Sequence, residues 1–175
     1  YDNFNILNKK ILMGKNLFKV ILAVPARLNS TRLPGKILED INGKPMLLRV
    51  LENCSKADGI NSLITCTDSI DVVKTISKWG FEALLTPSSC ASGSERINSV
   101  LDKLIPNHKN DKKTLIINVQ GDLPFLDKSL IENMIELFEK FDHPEVITPI
   151  YALKNEEIWD PNIVKVLLNK EDEAI

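Results

Sequence analysis

The stretch VILAVPARLNSTRLPGK, residues 20–36, joins a short apolar run to a loop that carries three cations. The run, Val20–Val24, is apolar at every position, which is typical of a parallel strand buried between two layers of helices. The loop that follows places Arg27, Arg32 and Lys36 among small and polar residues. In parallel α/β sheets, ligands bind at the loops that leave the carboxyl ends of the strands. The stretch therefore predicts an α/β fold with an anion site directly after this strand.

The cationic loop does not match the common phosphate-binding motifs. A Walker A loop has a Ser or Thr after its Gly-Lys pair, but Ile37 follows Lys36 here, and the GxGxxG pattern is also absent from the sequence. Pro34-Gly35 predicts a turn, and Gly35 lets the backbone approach a phosphate while Lys36 supplies a mobile charge. A single arginine would favour a solvated basic loop. Three cations after a buried strand favour an arginine-rich cradle for a triphosphate.

Length and composition suit one domain with a sizeable core, since 43% of the 175 residues are hydrophobic and 26% are charged. The net charge of −2 does not indicate nucleic acid or an acidic membrane as a partner. No apolar run approaches the roughly 18 residues of a membrane span, and the first residues lack the long apolar segment of a signal peptide. We therefore expect a cytoplasmic protein with neither a nucleic-acid nor a membrane partner.

The chain has an expected boundary near its first strand. Residues 1–18 are interpreted as a polar N-terminal extension, with natural translation expected to start at Met13. Residues 19–175 contain no glycine- or serine-rich linker and are interpreted as a single nucleotide-binding α/β domain.

The cysteines and histidines do not suggest a metal centre or a disulfide framework. Cys54, Cys66 and Cys90 are odd in number and lack CxxC spacing, so we expect reduced thiols, with the first two in the core. His108 and His143 lie in polar connections without a ligand partner nearby, and they are assigned no role.

Hydrophobic spacing predicts alternating strands and helices. The predicted strands are 20–24, 62–67, 81–86, 114–119, 146–153 and 163–168. The predicted helices are 46–54, 70–79, one that starts at residues 92–94 and extends to 104, and 130–141. This alternation favours a three-layer Rossmann-like arrangement, in which helices cover both faces of a parallel or mixed sheet. All the loops that follow the strands then open on one edge of the sheet.

A second motif, Gln120-Gly121-Asp122, follows the predicted strand 114–119. A carboxylate at this edge of the sheet, beside a cationic loop, suits a magnesium ion that bridges the phosphates of a nucleotide. A plain turn aspartate is the alternative, since aspartate is common in turns that contain a proline. The neighbouring cations favour the metal site for Asp122.

A third motif, SGSER, spans residues 92–96. Small residues and free backbone N–H groups at the start of a helix form an anion or base pocket, with Arg96 one turn further on. A plain N-cap at Ser92 with Glu95 in the first turn explains the same residues. The residue pattern alone leaves both interpretations open.

The strings PARLNSTRLPGK and LEDINGKPMLLRVLE resemble the N-terminal signature of the 3-deoxy-manno-octulosonate (KDO) cytidylyltransferases, the CMP-KDO synthetases of lipopolysaccharide assembly. The resemblance extends from about residue 19 to the end of the chain, and TRLPGK is its most specific part. It implies the fold of the nucleotide-diphospho-sugar transferases. It also implies transfer of CMP from CTP to the anomeric hydroxyl of KDO, which gives CMP-KDO and pyrophosphate.

The resemblance implies roles for individual residues. The catalytic residues would be Arg27, Arg32, Lys36 and Asp122, with Asp122 as the Mg²⁺ ligand. The residues implied in substrate binding are Pro25, Ala26, Arg27, Ser92, Gly93, Arg96 and Gln120. The family's SGTER segment lines the cytosine pocket, and its glutamine reaches the sugar. The family motif VQGDEP is VQGDLP here, so Leu123 replaces a glutamate beside the metal ligand.

Chains of this family are longer than 175 residues. Their C-terminal part supplies a second metal aspartate, most sugar-binding side chains and a dimer interface, so a homodimer is expected for the full-length family member. We expect a truncated form of a normal synthetase. The alternatives are a cytidylyltransferase for another acid sugar, such as a sialic acid or an eight-carbon amino sugar, and a catalytically silent CTP-binding half-domain.

Overall fold

The computed structural model describes residues 18–28, 34–106, 114–141, 144–170 and 173–174. The chain divides into two compact units, with the boundary between Ile135 and Glu136. The expectations for Met13, Arg32, His108 and His143 lie outside the described residues. The expected division into residues 1–18 and a single domain of residues 19–175 stays a prediction.

Within the described residues of the first unit, the chain forms six strands. They are β1 (Lys19–Pro25), β2 (Asp40–Ile41), β3 (Lys44–Pro45), β4 (Ser62–Thr67), β5 (Glu82–Leu85) and β6 (Thr114–Asn118). Four of them form a parallel sheet in the spatial order β5-β4-β1-β6, while β2 and β3 form a separate antiparallel hairpin. In the centre of the sheet, Ala23 is paired with Ile64 of β4 and Asn118 of β6. The predicted parallel sheet is confirmed.

In the part of the chain that the structure describes, five α-helices connect and follow these strands. They are α1 (Met46–Cys54), α2 (Ile70–Lys78), α3 (Gly93–Asn98), α4 (Leu101–Leu104) and α5 (Lys128–Lys140). A 3-10 helix spans Lys36–Leu38, and another spans Asn155–Glu157. None of the helices in the described part of the chain is long and apolar enough to cross a membrane.

The single helix predicted from residues 92–94 to 104 is two short helices. Ser99 ends α3, and Val100 leaves the helical region with φ −121° and ψ 17° before α4 begins. The predicted apolar positions still share one buried face, because Ile97, Val100 and Leu104 pack in the same core cluster. The spacing therefore predicted the burial correctly but not the break.

Strand β1 lies in the centre of a three-layer arrangement. All five residues of Val20–Val24 have no exposed surface. Since successive side chains of a strand point to opposite faces, burial of all five requires cover on both faces of the sheet. On one face, Ile21 and Ala23 pack with residues of β4, α3 and α4. Each fully buried aliphatic side chain contributes about 2 kcal/mol through the hydrophobic effect.

The strands predicted for residues 146–153 and 163–168 are wrong. In the second unit, residues 146–153 are irregular, and residues 163–168 take part only in an isolated bridge between Leu168 and Ala174. The apolar residues that suggested strands are exposed, for example Val146 at 82% and Val164 at 89%. β-propensity reflects packing on a pleated, half-buried surface, so it does not produce a strand without neighbours to pair with.

Candidate active site

A cavity of about 260 Å³ lies where the loop after β1, the start of α3 and the turn after β6 meet. Nine of the ten site residues predicted from the sequence line it, namely Pro25, Ala26, Arg27, Lys36, Ser92, Gly93, Arg96, Gln120 and Asp122. The tenth, Arg32, lies outside the described residues. The structure thus brings three separate motifs together, while the catalytic and binding roles of their residues stay predictions.

Backbone hydrogen bonds hold the loop after β1 at both of its ends. The amide of Ala26 donates to the carbonyl of Cys66 at 2.9 Å, which extends the pairing of β1 and β4 beyond Pro25. The amide of Gly35 donates to the carbonyl of Leu28 at 2.9 Å and so closes the loop. Gly35 has φ +75°, a conformation that favours glycine, and it directly precedes the short helix that begins at Lys36.

Pro25 is the point where the three cavity segments touch. A Cβ atom on Gly93 would lie 2.9 Å from Cγ of Pro25, and one on Gly121 would lie 3.0 Å from the carbonyl oxygen of Pro25. A methyl group on Gly93 would force one of the two segments to shift, and one on Gly121 would be tight against the backbone of Pro25. The starts of α3 and of the turn after β6 are therefore set directly against the end of β1.

The start of α3 is a well-formed N-cap. The Ser92 hydroxyl oxygen accepts from the Glu95 amide at 3.1 Å, and the Glu95 carboxylate accepts from the Ala91 amide at 2.7 Å. The capping interpretation of SGSER is therefore confirmed. Because Ser92 and Gly93 also line the cavity, the cap fixes the backbone that would face a ligand.

Arg96 is buried in the protein framework, with only 2% of its surface exposed. Its guanidinium donates to Oγ1 of Thr86 at 2.5 Å, to the carbonyl of Pro87 at 3.3 Å and to Oδ2 of Asp68 at 3.1 Å. An unpaired buried charge costs several kcal/mol, so Asp68 is essential to the burial of this arginine. No motif in the sequence singled out Asp68 for this role.

Lys36 and Asp122 form an ion pair between two of the cavity segments. Lys36 Nζ lies 2.7 Å from Asp122 Oδ2, and the two side chains are 36% and 45% exposed. Ion pairs with this exposure stabilise proteins by at most about 1 kcal/mol. A phosphate can therefore replace the partner of Lys36, and a cation can replace that of Asp122, at small cost.

Asn118, at the end of β6, lies among the polar groups near the cavity and was not predicted as a site residue. The side-chain amide of Gln120 donates to Oδ1 of Asn118 at 3.1 Å, and Nδ2 of Asn118 donates to the Ser94 hydroxyl at 3.4 Å. The side chain of Gln120 is thereby linked to the first turn of α3. The position of Asn118, two residues before Gln120 on the predicted strand, was the signal that could have identified it.

The donor set for a metal is small. Within the residues that the structure describes, no group of three or more His, Cys, Asp or Glu side chains could hold a metal ion. Asp122 supplies one carboxylate at the cavity, and the neighbouring Leu123, which is 44% exposed, supplies none. Mg²⁺ is often bound through one or two carboxylates together with substrate phosphates and water. The arrangement fits a magnesium ion whose other ligands come with a nucleotide.

Comparison with known proteins identifies the family. A family model described as cytidylyltransferase matches residues 21–175. The chain belongs to the cytidylyltransferase family. It is 40% identical to the 8-amino-3,8-dideoxy-manno-octulosonate cytidylyltransferase of Shewanella sp. (strain W3-18-1), over 152 residues that cover 86% of this chain and 60% of that protein. It is 37% identical to the 3-deoxy-manno-octulosonate cytidylyltransferase of Mesorhizobium japonicum, with coverages of 84% and 59%.

A solved cytidylyltransferase structure agrees with the fold. CMP:2-keto-3-deoxy-manno-octonic acid synthetase complexed with CTP superposes with a TM-score of 0.77 at 29% identity, covering 90% of this chain and 62% of that one. The family resemblance and the fold expected from the sequence are therefore confirmed. The chain spans about 60% of the length of the curated relatives.

Proposed function

We propose that the cavity binds CTP together with magnesium and that the chain carries the nucleotide-binding part of a cytidylyltransferase. The enzyme would transfer CMP to KDO or a closely related acid sugar and release pyrophosphate, in lipopolysaccharide biosynthesis. One observation carries the proposal: Arg27, Lys36 and Asp122 converge on a single cavity in a member of this family.

The residues of the cavity suit the charge changes of this reaction. The anomeric hydroxyl of the sugar attacks the α-phosphorus, the bond between this phosphorus and the bridging oxygen breaks, and pyrophosphate leaves. Negative charge grows on the leaving oxygens, and fixed cations stabilise it. Arg27 and Lys36 would hold the phosphates, and Lys36 would exchange the carboxylate of Asp122 for a phosphate oxygen.

Asp122 would hold the magnesium ion once Lys36 has moved to the phosphates. When bound, the ion supplies further charge neutralisation at the phosphates. Following the family resemblance, Gln120 would contact the sugar, and Pro25, Ala26, Ser92 and Gly93 would contact the nucleotide. A homodimeric, cytoplasmic full-length enzyme is part of the same proposal.

The acceptor is proposed as a class of eight-carbon acid sugars. The names of the relatives specify KDO in one case and its 8-amino-8-deoxy derivative in another, at similar identity to this chain. Both sugars present a carboxylate and an anomeric hydroxyl. Measuring pyrophosphate release from CTP with KDO, the 8-amino sugar and a sialic acid would rank the three acceptors.

Calorimetric titration of CTP with MgCl₂ into the purified chain tests nucleotide binding. We expect Lys36→Ala to weaken binding by about 2 kcal/mol, or about thirtyfold in Kd, because a charge-assisted contact to phosphate is lost. Lys44→Ala is the matched control, since Lys44 pairs with Glu52 and does not line the cavity. Equal affinities for the wild type and Lys36→Ala would contradict the proposal.

Pyrophosphate release separates the enzyme from a silent binding module. If the chain binds CTP but releases no pyrophosphate with each of the three sugars in turn, this result would support the alternative of a CTP-binding half-domain. Release that requires both the sugar and magnesium would support transfer.

A further inference from the structure

Asp68, the residue directly after β4, connects two parts of the cavity wall that are far apart in sequence. Its Oδ1 accepts from the Leu28 amide at 3.2 Å, and its Oδ2 accepts from the Arg96 guanidinium at 3.1 Å. The Asp68 side chain is 10% exposed. Both carboxylate oxygens are therefore engaged, one with the loop after β1 and one with α3, although Asp68 does not line the cavity.

The hydrogen bond between Asp68 and Leu28 fixes the backbone beside both described cations of the loop. The carbonyl of Leu28 accepts from the Gly35 amide at 2.9 Å, so the amide and the carbonyl of this residue are both fixed. Arg27 directly precedes Leu28, and Lys36 directly follows Gly35. Asp68 thus holds the point at which the two ends of the cationic loop are joined.

The other oxygen of Asp68 is held by a rigid partner. Arg96 is fixed by Thr86 Oγ1 and the carbonyl of Pro87, which directly follow β5, and its side chain is 3% exposed. The amide of Thr86 donates to the carbonyl of Thr67 at 2.8 Å, which ties the same segment to the end of β4. Arg96 therefore fixes one oxygen of the Asp68 carboxylate on the buried side, and the other oxygen holds the Leu28 amide of the loop.

We propose that Asp68 is a positioning residue, which holds Arg27 and Lys36 in the arrangement that receives a triphosphate, and that Arg96 acts through Asp68. The inference rests on the proposed CTP site. Because the two described ends of the loop are already held in place, Arg27 and Lys36 meet the phosphates without the entropic cost of ordering those ends. Loss of the buried ion pair with Arg96 also lowers the stability of the fold, so the specific sign of the positioning role is a loss of affinity that is larger for a triphosphate than for a monophosphate.

Asp68→Asn tests the proposal with the least change in volume. The side-chain oxygen of the variant can still accept a hydrogen bond from the Leu28 amide. Its NH₂ group then faces the guanidinium of Arg96, and because both groups are donors they cannot bond to each other. The variant therefore keeps only one of the two hydrogen bonds. We expect the affinity for CTP with MgCl₂ to fall by about tenfold or more, while the affinity for CMP, which lacks the β- and γ-phosphates, changes by less than about twofold. Asp127→Ala is the control, because it removes a carboxylate that accepts from the Ser129 amide outside the cavity, and it should change neither affinity.

Amide hydrogen exchange gives a second readout that does not depend on nucleotide binding. In folded Asp68→Asn, the amides of Leu28 and Gly35 should exchange about tenfold faster than in the wild type, a larger loss of protection than that of amides in the centre of β1. A folded Asp68→Asn that binds CTP as the wild type does, or that loses CTP and CMP affinity equally, would overturn the proposal. So would a loss of protection at Leu28 and Gly35 that is no larger than that in the centre of β1. Failure of the wild type to bind CTP would refute the nucleotide site itself, and the exchange at Leu28 and Gly35 would still decide whether Asp68 holds the loop.

Discussion

Cys54 and Cys66 are completely buried, and each links the stability of the fold to pH. Burial raises the pKa of both thiols from an ordinary value of 9.0 to about 11, although the nearby Arg96 guanidinium partly opposes this at Cys66. Since the folded-state pKa is higher than the unfolded one, the neutral thiols stabilise the native state fully below pH 9. This stabilisation is lost as the pH rises from 9 through 11.

Urea denaturation at pH 7.5 and pH 10 should therefore show a loss of stability to which each of the two thiols contributes about 1.4 kcal/mol. Lysines and tyrosines also titrate in this range, so the informative quantity is the difference between variants. The pH-dependent loss in Cys54→Ala should be smaller than that in the wild type by the contribution of one thiol. An identical loss in both proteins would show that burial does not perturb the thiol at position 54.

At the scale of secondary-structure elements, the shape of the cavity depends on how closely α3 and the turn after β6 pack against Pro25. The Gly93→Ala substitution would place a methyl group 2.9 Å from Cγ and 3.3 Å from Cβ of the Pro25 ring. A proline ring cannot rotate away as a flexible side chain can. Either the start of α3 or the end of β1 must then shift, and both carry residues that line the cavity.

Gly93→Ala should consequently destabilise the protein by about 1–3 kcal/mol, which is the usual cost of overpacking. It should also weaken the binding of CTP. Thermal denaturation and calorimetry measure the two effects, with Asn98→Ala as the control because this exposed residue belongs to the same helix. Unchanged stability and binding would mean that the three segments do not depend on close contact at Pro25.

The same elements show what could be predicted from the sequence. The central strand and the cavity motifs were predictable because a short, fully apolar run has few alternatives, and because loops after parallel strands meet at one edge. The role of Asp68 was not predictable from local pattern, since its partners Leu28 and Arg96 are 40 and 28 residues away.

Local pattern also failed where the tertiary environment decides the outcome. The apolar residues of 146–153 suggested a strand, but propensity cannot indicate whether a neighbouring strand is present. In α2, Ser69 is the N-cap, and the buried face carries Val72 and Ile76, while Ile70 is 51% exposed. The apolar spacing of residues 70–79 identified the helix, but it did not show which of the apolar side chains are buried.

For the whole molecule, the distribution of charge matters more than its sum. The chain carries a net charge of −2, yet the cavity gathers Arg27, Lys36 and the buried Arg96 with a single carboxylate, Asp122. A weakly negative protein does not attract a triphosphate at long range, so affinity for it has to come from contacts inside the cavity. The central claim is therefore that Arg27 and Lys36 meet the phosphates of CTP.

A crystal structure of the chain with CTP and Mn²⁺, in which the anomalous signal locates the metal, tests this claim most directly. We predict that the triphosphate lies in the cavity in contact with Arg27 and Lys36, and that the metal is bound by Asp122 and phosphate oxygens. The Lys36–Asp122 pair, 2.7 Å apart without nucleotide, should open beyond about 4 Å. A nucleotide bound elsewhere, or a triphosphate in the cavity beside an intact Lys36–Asp122 pair, would contradict the claim.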